Sequence, residues 1–212
     1  MNLNIQCALV LAPHTDDGEL GCGGTLSWLI EQGISIYYVA FSICETSVPE
    51  EFPSDILATE VRRANRVLNI PSDHLFIHRY PVRHFPHHRQ EILEDLIKLR
   101  AEIDPDLILL PAPDDVHQDH QVISQEGLRA FKRRTILGYE LPWNNLTFTA
   151  SASVPLNRRH IDNKIEALRQ YKSQWHRNYW NEDFILGLAR VRGVQVGTEY
   201  AEAFQVIRWL IG

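Results

Sequence analysis

The chain has 212 residues, of which 44% are hydrophobic and 23% charged, and its formal net charge is −6. This length and apolar fraction are typical of one globular domain and exclude an extensively disordered chain. The acidic balance excludes nucleic-acid binding through a dense basic surface.

Strands and helices alternate in the first half of the chain. Apolar runs of strand length predict strands over residues 5–12, 34–41, 75–77 and 107–110. Apolar residues at helical spacing predict helices over residues 25–30, 55–68 and 89–103. The glycine-rich segment 18–24 follows the turn after the first strand and is expected to open the first helix.

The second half is less regular but continues the alternation. We expect helices over residues 120–131, 161–174 and 182–192. We expect strands over residues 135–141, 146–150 (paired with the preceding strand) and 203–210. Repeated strand–helix units predict a Rossmann-like α/β fold, with a mostly parallel sheet, helices on both faces and a single domain over residues 1–212.

Features of the sequence also indicate where the protein resides. No apolar run approaches the length of a membrane span. The first four residues lack the cationic segment of a signal peptide. The three cysteines, Cys7, Cys22 and Cys44, have no paired spacing, which is typical of reduced thiols. We therefore expect a cytoplasmic protein.

The glycine-rich segment raises the question of a bound nucleotide cofactor. Its spacing is G-x-x-G-x-G-G, which differs from the dinucleotide fingerprint G-x-G-x-x-G. Asp16 and Asp17 stand directly before it and would repel a pyrophosphate. Close packing of a helix on a strand is the alternative role for these glycines, and we expect no nucleotide cofactor.

Two clusters of polar residues, 13–19 and 114–120, each follow a predicted strand. The carboxyl ends of parallel strands are where open α/β sheets bind their ligands. A catalytic zinc takes three protein ligands and keeps one open position. His14, one carboxylate of the Asp16/Asp17 pair and one imidazole of the His117/His120 pair meet that requirement. The remaining aspartate is then a candidate general base, and the remaining histidine a candidate acid or oxyanion partner.

The sequence resembles the PIG-L/LmbE-like family of zinc-dependent N-deacetylases at three places. These are Leu-Ala-Pro-His-Thr-Asp-Asp at 11–17, Glu-Leu-Gly-Cys-Gly-Gly-Thr-Leu at 19–26 and His-Gln-Asp-His at 117–120. Weaker similarity extends the resemblance over nearly the whole chain. It implies a Rossmann-like fold and hydrolytic removal of an acyl group, usually acetyl, from the nitrogen of an amino sugar.

The resemblance also implies roles for individual residues. The implied zinc ligands are His14, Asp17 and His120. Asp16 would be the general base, His117 would polarise the carbonyl and protonate the leaving amine, and Asp119 would tune the protonation of His117. Two departures from the family pattern concern loop geometry: Thr15 replaces the usual proline, and Gly18 separates the aspartate pair from Glu19. Because such donor sets accept several ions, iron and cobalt are alternatives to zinc.

Four further residues are candidates for substrate binding. Arg83 could contact an anionic or sugar group, and Trp143 with Asn144 could stack on and hydrogen-bond a sugar. Glu140 could orient the substrate or cap a turn. The histidine-rich stretch 74–88 is interpreted as a solvated loop, because its spacing does not suit a second metal site. Glu202, inside an apolar strand, is expected to pair with an arginine such as Arg190 or Arg192.

These observations predict a metal-dependent hydrolase that removes an N-acetyl group from a small-molecule amino sugar or sugar conjugate. One alternative is an amidohydrolase acting on a non-sugar acyl amide. The other is a sugar- or metal-binding homologue without turnover, against which the second carboxylate at Asp16 argues. The sequence leaves the oligomeric state open, and a homo-oligomer is compatible with it.

Overall fold

A computed structural model describes residues 5–210, and the first four residues discussed above lie outside this range. The strands are β1 (Cys7–His14), β2 (Ser35–Ser42), β3 (Leu75–Ile77), β4 (Leu107–Pro111), β5 (Thr135–Tyr139), β6 (Ala152–Leu156) and β7 (Tyr200–Arg208). The helices are α1 (Asp17–Glu31), α2 (Ile56–Val67), α3 (Arg89–Ile103), α4 (Gln118–Ala130), α5 (Arg158–Leu168) and α6 (Glu182–Val196).

The strands form one sheet in the order β3-β2-β1-β4-β5-β7-β6. The pairs from β3 to β5 are parallel, whereas β7 is antiparallel to both β5 and β6. The chain runs outward from β1 to β2 and β3, then returns to β4 on the other side of β1. This arrangement confirms the expected mostly parallel α/β fold.

Helices cover both faces of the sheet, as expected. Alternate residues of β1 enter two separate cores: Val10 packs with residues of α1, α2, α5 and α6, whereas Leu9 and Leu11 pack with residues of α3 and α4. All three side chains have no exposed surface. Burial on both faces explains why β1 is a nearly continuous apolar run instead of an alternating one.

The glycine-rich segment opens helix α1, as expected. α1 begins at Asp17 and includes residues 18–24, with a kink at Cys22, where φ is −145°. A Cβ atom on Gly18 would lie 2.5 Å from the hydroxyl of Tyr38, and one on Gly21 would lie 2.3 Å from Cδ2 of Tyr139. At these two positions the glycines allow α1 to lie directly against the sheet, in agreement with the packing alternative.

The predicted strand over residues 146–150 is also wrong. Oδ1 of Asn145 accepts a hydrogen bond from the Leu141 amide at 2.7 Å, which stabilises a turn directly after β5. Leu146, beyond that turn, is 84% exposed. The next strand is β6 instead, and it pairs with β7, which is itself the neighbour of β5.

The predicted helix over residues 161–174 is interrupted. α5 ends at Leu168, and a short 3-10 turn over Lys172–Gln174 follows. The Ser173 amide donates to Oε1 of the buried Glu60 at 3.0 Å, and the Ser173 hydroxyl donates to Oε2 at 2.6 Å. These contacts replace the hydrogen bonds of a continued helix and bring the chain back toward α2.

The expected pairing of Glu202 with an arginine is wrong. Glu202 accepts a hydrogen bond from Lys164 Nζ at 2.7 Å, and its carboxylate also accepts from the amides of Gly24 and Thr25. The kink in α1 frees these two amides, and the buried lysine balances the carboxylate charge. Over residues 5–210, no helix combines the length and apolarity needed to cross a membrane.

Candidate metal centre

The candidate site lies where the sheet order reverses. β1 pairs with both β2 and β4, and the chain leaves β1 toward β2 but leaves β4 toward β5. The two connections diverge, which opens a crevice at the carboxyl ends of β1 and β4. His14 ends β1 and Asp17 begins α1. His117 caps the N-terminus of α4, and His120 lies in its first turn.

Three candidate ligand atoms form a triangle with equal sides. Nδ1 of His14 lies 3.2 Å from Oδ2 of Asp17, Nε2 of His120 lies 3.2 Å from the same oxygen, and the two nitrogens are 3.2 Å apart. Ligands at about 2.0–2.1 Å from a tetrahedral ion lie about 3.3 Å from one another. The triangle therefore fits one divalent ion such as zinc.

Buried carboxylates orient both imidazoles from their far sides. Nδ1 of His120 lies 2.7 Å from Oδ2 of Asp115, and Nε2 of His14 lies 3.2 Å from Oδ2 of Asp119. In metal sites a carboxylate at the second nitrogen fixes the tautomer and the orientation of the ligating ring. Sequence reasoning did not assign a role to Asp115; its position in the second polar cluster was the available signal.

The charges at the triangle favour an ionised Asp17. Burial opposes ionisation, but the imidazoles of His120 and His14 outweigh it and hold the pKa of Asp17 well below its usual range. For His120, burial lowers the pKa, yet Asp17 and Asp115 raise it to about 10 overall. His120 must therefore lose a proton before it can bind a metal ion, so metal binding at this triangle releases a proton.

Asp119 contacts His14 and a neighbouring loop in addition to the influence on His117 that the family resemblance implied. Its carboxylate contacts His14. It also accepts hydrogen bonds from the backbone amides of Arg83 at 2.6 Å and Phe85 at 3.2 Å. Its charge does raise the pKa of His117, but no hydrogen bond joins its carboxylate to that ring within the described residues. Asp119 therefore connects the loop before α3 to His14 through hydrogen bonds.

His117 lies beside the triangle. One of its nitrogens is within 4.8 Å of nitrogens of both His14 and His120, so these three imidazoles form a second candidate ligand group. We favour the triangle that contains Asp17, because its spacing is closer to ideal and Asp17 supplies negative charge. Nδ1 of His117 accepts a hydrogen bond from the backbone amide of Asp119 at 3.2 Å. The proton of a neutral ring is then on Nε2. Burial and the two other imidazoles lower the pKa of His117 to about 4.

Asp16 lies at the cavity wall next to the triangle. Burial and the charge of Asp17 raise the pKa of Asp16 to about 6, against smaller opposing effects of His14 and Arg177. A carboxylate with a pKa near the working pH is suited to accept a proton from water.

A buried network holds the turn that carries both aspartates. The hydroxyls of Tyr38 and Tyr171 donate to the Thr15 carbonyl at 2.9 and 2.7 Å. Both hydroxyls also contact the carboxyl group of Glu19, which has no exposed surface. Burial raises the pKa of Glu19 to about 8, in spite of these hydrogen bonds. This network fixes the turn at Thr15 and so the positions of Asp16 and Asp17.

The site opens into a cavity of about 270 Å³. Of the predicted substrate-binding residues, three line this cavity: Arg83, Trp143 and Asn144. Glu140 does not. Its carboxylate pairs with Arg192 of α6, whose Nε donates to Oε2 at 2.9 Å, so Glu140 lies outside the cavity that the other three residues line.

Residues after α5 complete the cavity wall. Trp143 stacks on Tyr179, with ring centroids 4.0 Å apart and the planes inclined by 9°. One face of the indole is therefore covered by protein. Gln174 and Arg177 also line the cavity. Sequence reasoning assigned these residues no role at the site, because they reach it only through the fold.

Comparisons with known proteins agree with this geometry. A family model described as PIG-L, GlcNAc-PI de-N-acetylase, matches residues 9–131, which include all the candidate ligands. The uncharacterized deacetylase YaiS of Escherichia coli K12 is 28% identical over 176 residues, covering 78% of this chain and 90% of its own. The diacetylchitobiose deacetylase of Thermococcus kodakarensis is 22% identical, covering 96% of this chain and 84% of its own.

Solved structures share the fold. The conserved protein TT1542 of Thermus thermophilus has a TM-score of 0.79 at 25% identity, covering 98% of this chain and 97% of its own. GalB of Pseudomonas putida KT2440, a 4-carboxy-2-hydroxymuconate hydratase, also has a TM-score of 0.79, at 18% identity and covering 98% of both chains. A hydratase with this fold shows that the fold alone does not fix the reaction.

Proposed function

The chain belongs to the PIG-L family, and we propose that it is a metal-dependent N-deacetylase acting on an N-acetylated amino sugar or sugar conjugate. The observation that carries the proposal is the 3.2 Å triangle of His14, Asp17 and His120, with a carboxylate behind each imidazole and Asp16 beside it. The deacetylase relatives favour amide hydrolysis over the hydration catalysed by GalB.

Zinc is the metal we propose for this site, with iron and cobalt as alternatives, since all three accept imidazole and carboxylate ligands. Such an ion, when bound, would act as a Lewis acid that polarises the substrate carbonyl and lowers the pKa of a bound water. The three ligand residues, Asp16 and His117 all line the same cavity. A substrate in this cavity would therefore lie next to the bound ion.

We assign the proton transfer from water to Asp16. As the water oxygen bonds to the acetyl carbon, one proton passes to the Asp16 carboxylate. The carbon–nitrogen bond then breaks and the proton held by Asp16 passes to the departing nitrogen. The second proton of the water also ends on the amine when the acetic acid ionises, so the products are acetate and a protonated amine. The fixed turn at Thr15 keeps the carboxylate in place.

We assign stabilisation of the carbonyl oxygen to His117. Nδ1 accepts a backbone hydrogen bond, so the ring donates from Nε2 toward the cavity, as an oxyanion partner requires. The resemblance also implies that His117 protonates the leaving amine. Its lowered pKa favours a neutral ring, so in this proposal the proton held by Asp16 is the one that reaches the amine.

The test is acetate release by the metal-loaded protein. N-acetylglucosamine and di-N-acetylchitobiose represent the sugars, and N-acetylbenzylamine represents non-sugar amides. We expect acetate and free amine from at least one sugar, and loss of both with a chelator. Hydrolysis of N-acetylbenzylamine alone would support the amidohydrolase alternative. Failure with all three, or turnover insensitive to chelation, would contradict the proposal.

The proposal also includes the cellular setting. We place the enzyme in the cytoplasm acting on a small molecule, and the three cysteines, free among the described residues, support a reducing compartment. Separating the protein from a cell lysate by compartment and detecting it by antibody tests this placement.

A further inference from the structure

A second cavity lies where α5, α6 and the segment between them meet. Its volume is about 610 Å³, more than twice the volume of the cavity at the candidate metal centre. Among the described residues, Tyr179 alone lines both cavities, so the candidate ligands, Asp16 and His117 all lie outside the second one. The second cavity is therefore a space that the proposed reaction does not use.

The floor of the second cavity is aliphatic. Ile165 and Leu168 of α5 line it, together with Leu20 of α1 and Ile185 of α6. Each of these four residues is at most 6% exposed and belongs to the core on this face of the sheet. A floor made of core residues favours an apolar ligand, because the apolar surface of that ligand is removed from water on binding.

Three aromatic residues between α5 and α6 line the same cavity: Trp175, Tyr179 and Trp180. Trp180 packs edge-on against the buried Tyr171, with ring centroids 5.6 Å apart and the planes inclined by 77°. Tyr179 is held by its stack on Trp143. Trp175, in contrast, is 55% exposed. The cavity thus combines two aromatic rings that the protein holds in place with one that is open to a ligand.

The charged residues of this cavity balance one another. Nη2 of Arg169 lies 2.6 Å from Oε1 of Glu182, and Nη1 of Arg169 lies 3.1 Å from Oε2 of Glu166. Lys172 is the fourth charged residue of the lining, so its net charge is zero. Recognition in this cavity therefore depends on apolar and aromatic contacts more than on the charge of a ligand.

We propose that the second cavity is a binding site for a small aromatic molecule, whose rings lie on the aliphatic floor and stack on Trp175. The volume supports a small molecule as the occupant, because pockets for such ligands measure about 300–1,000 Å³ and have mainly hydrophobic and aromatic linings. The aromatic lining supports a ring system, because aromatic rings stack in offset or edge-to-face arrangements. This site does not depend on the proposed deacetylase function.

The test uses two small probes that differ in aromaticity. 2-Naphthol has two fused aromatic rings, and decahydro-2-naphthol has the same carbon skeleton and hydroxyl group without them. Each is titrated into the wild-type chain by calorimetry. We expect 2-naphthol to bind at one site per chain, and the saturated analogue to bind about 2–10-fold more weakly. Absence of saturable binding, or equal affinities for the two probes, would overturn the proposal.

A pair of tryptophan variants locates the binding site. Trp175→Ala removes the exposed ring and should weaken the binding of 2-naphthol by at least about threefold. The variant is expected to fold, because Trp175 lies largely at the surface. Trp209→Ala is the matched control, since Trp209 is also exposed but does not line this cavity. An unchanged affinity in Trp175→Ala, or the same loss in both variants, would contradict the assignment.

Two further measurements test other occupants and locations. Arg83→Gly changes the cavity at the metal centre, at a position whose φ of +70° suits glycine, and should leave the binding of 2-naphthol unchanged. A loss of affinity in this variant would place the probe in the wrong cavity. Light scattering tests a second copy of the chain as the occupant. A dimer that is present in the wild-type protein and absent in Trp175→Ala would overturn the small-molecule site.

Discussion

Oδ2 of Asp115 lies 2.7 Å from Nδ1 of His120, on the opposite side of the ring from Asp17 and His14. Both residues are almost completely buried. The carboxylate accepts a hydrogen bond from Nδ1–H, which in the neutral ring leaves the lone pair of Nε2 directed into the ligand triangle. The cluster 114–120 thus supplies both a candidate ligand, His120, and the carboxylate that orients it, Asp115.

Asp115→Asn should weaken metal binding by roughly 10–100-fold, because an amide orients the His120 ring less firmly and lowers its basicity. Competition with a chelator of known affinity measures this change. Asp114→Asn is the matched control, since Asp114 is exposed and adjacent. Equal affinities of the two variants would exclude a role for Asp115 in positioning His120.

Asp16→Asn should keep its metal and lose about 10²–10⁴-fold in kcat, because the amide cannot accept the proton from water. Acetate release gives the rate, and elemental analysis of the same sample gives the metal content. Turnover at the wild-type rate would remove Asp16 from the role of general base.

Glu19 is expected to make the metal-free protein less stable as the pH rises. Its pKa is raised from 4.5 to about 8 in the folded protein, so between these values the folded state binds more protons than the unfolded state. The free energy of unfolding should therefore fall from about pH 4.5 to about pH 8 through this group. Urea unfolding across this range measures the slope.

Glu19→Gln should reduce that slope, because glutamine does not titrate. The variant keeps an acceptor and a donor for Tyr38 and Tyr171, so it is expected to fold. The same pH slope in the wild-type protein and the variant would show that Glu19 is ionised in the folded state.

Lys164→Met should destabilise the protein by about 3–5 kcal/mol, because the Glu202 carboxylate would remain buried without its cation. Urea unfolding monitored by circular dichroism measures the loss. Lys98→Met is the control, since Lys98 pairs with Asp95 at the surface with 75% of its side chain exposed. Similar losses in the two variants would contradict a buried, stabilising ion pair.

The sequence was sufficient where one local pattern determined the structure. Helix α3 begins and ends at the predicted residues, 89–103, because apolar spacing and Asp104-Pro105 mark its extent. The ligand clusters at 13–19 and 114–120 could also be predicted, since each follows a buried strand and the fold brings strand ends together.

Contacts between distant segments determined the features that were missed. The partners of the glycines in α1 are the rings of Tyr38 and Tyr139, which fill the space that side chains there would need. Glu140 pairs with Arg192, 52 residues later in the chain, and this pairing removes it from the cavity. Tyr179 reaches Trp143 only because the chain turns back after α5. No local pattern encodes these contacts.

The metal content of the purified chain shows whether His14, Asp17 and His120 bind an ion together. Elemental analysis of wild-type protein, after titration with Zn²⁺ and removal of unbound ions, should give close to one zinc per chain. His120→Ala, treated in the same way, should retain little. A wild-type chain that takes up no metal, or a fully loaded His120→Ala variant, would contradict the assignment of His14, Asp17 and His120 as a metal centre.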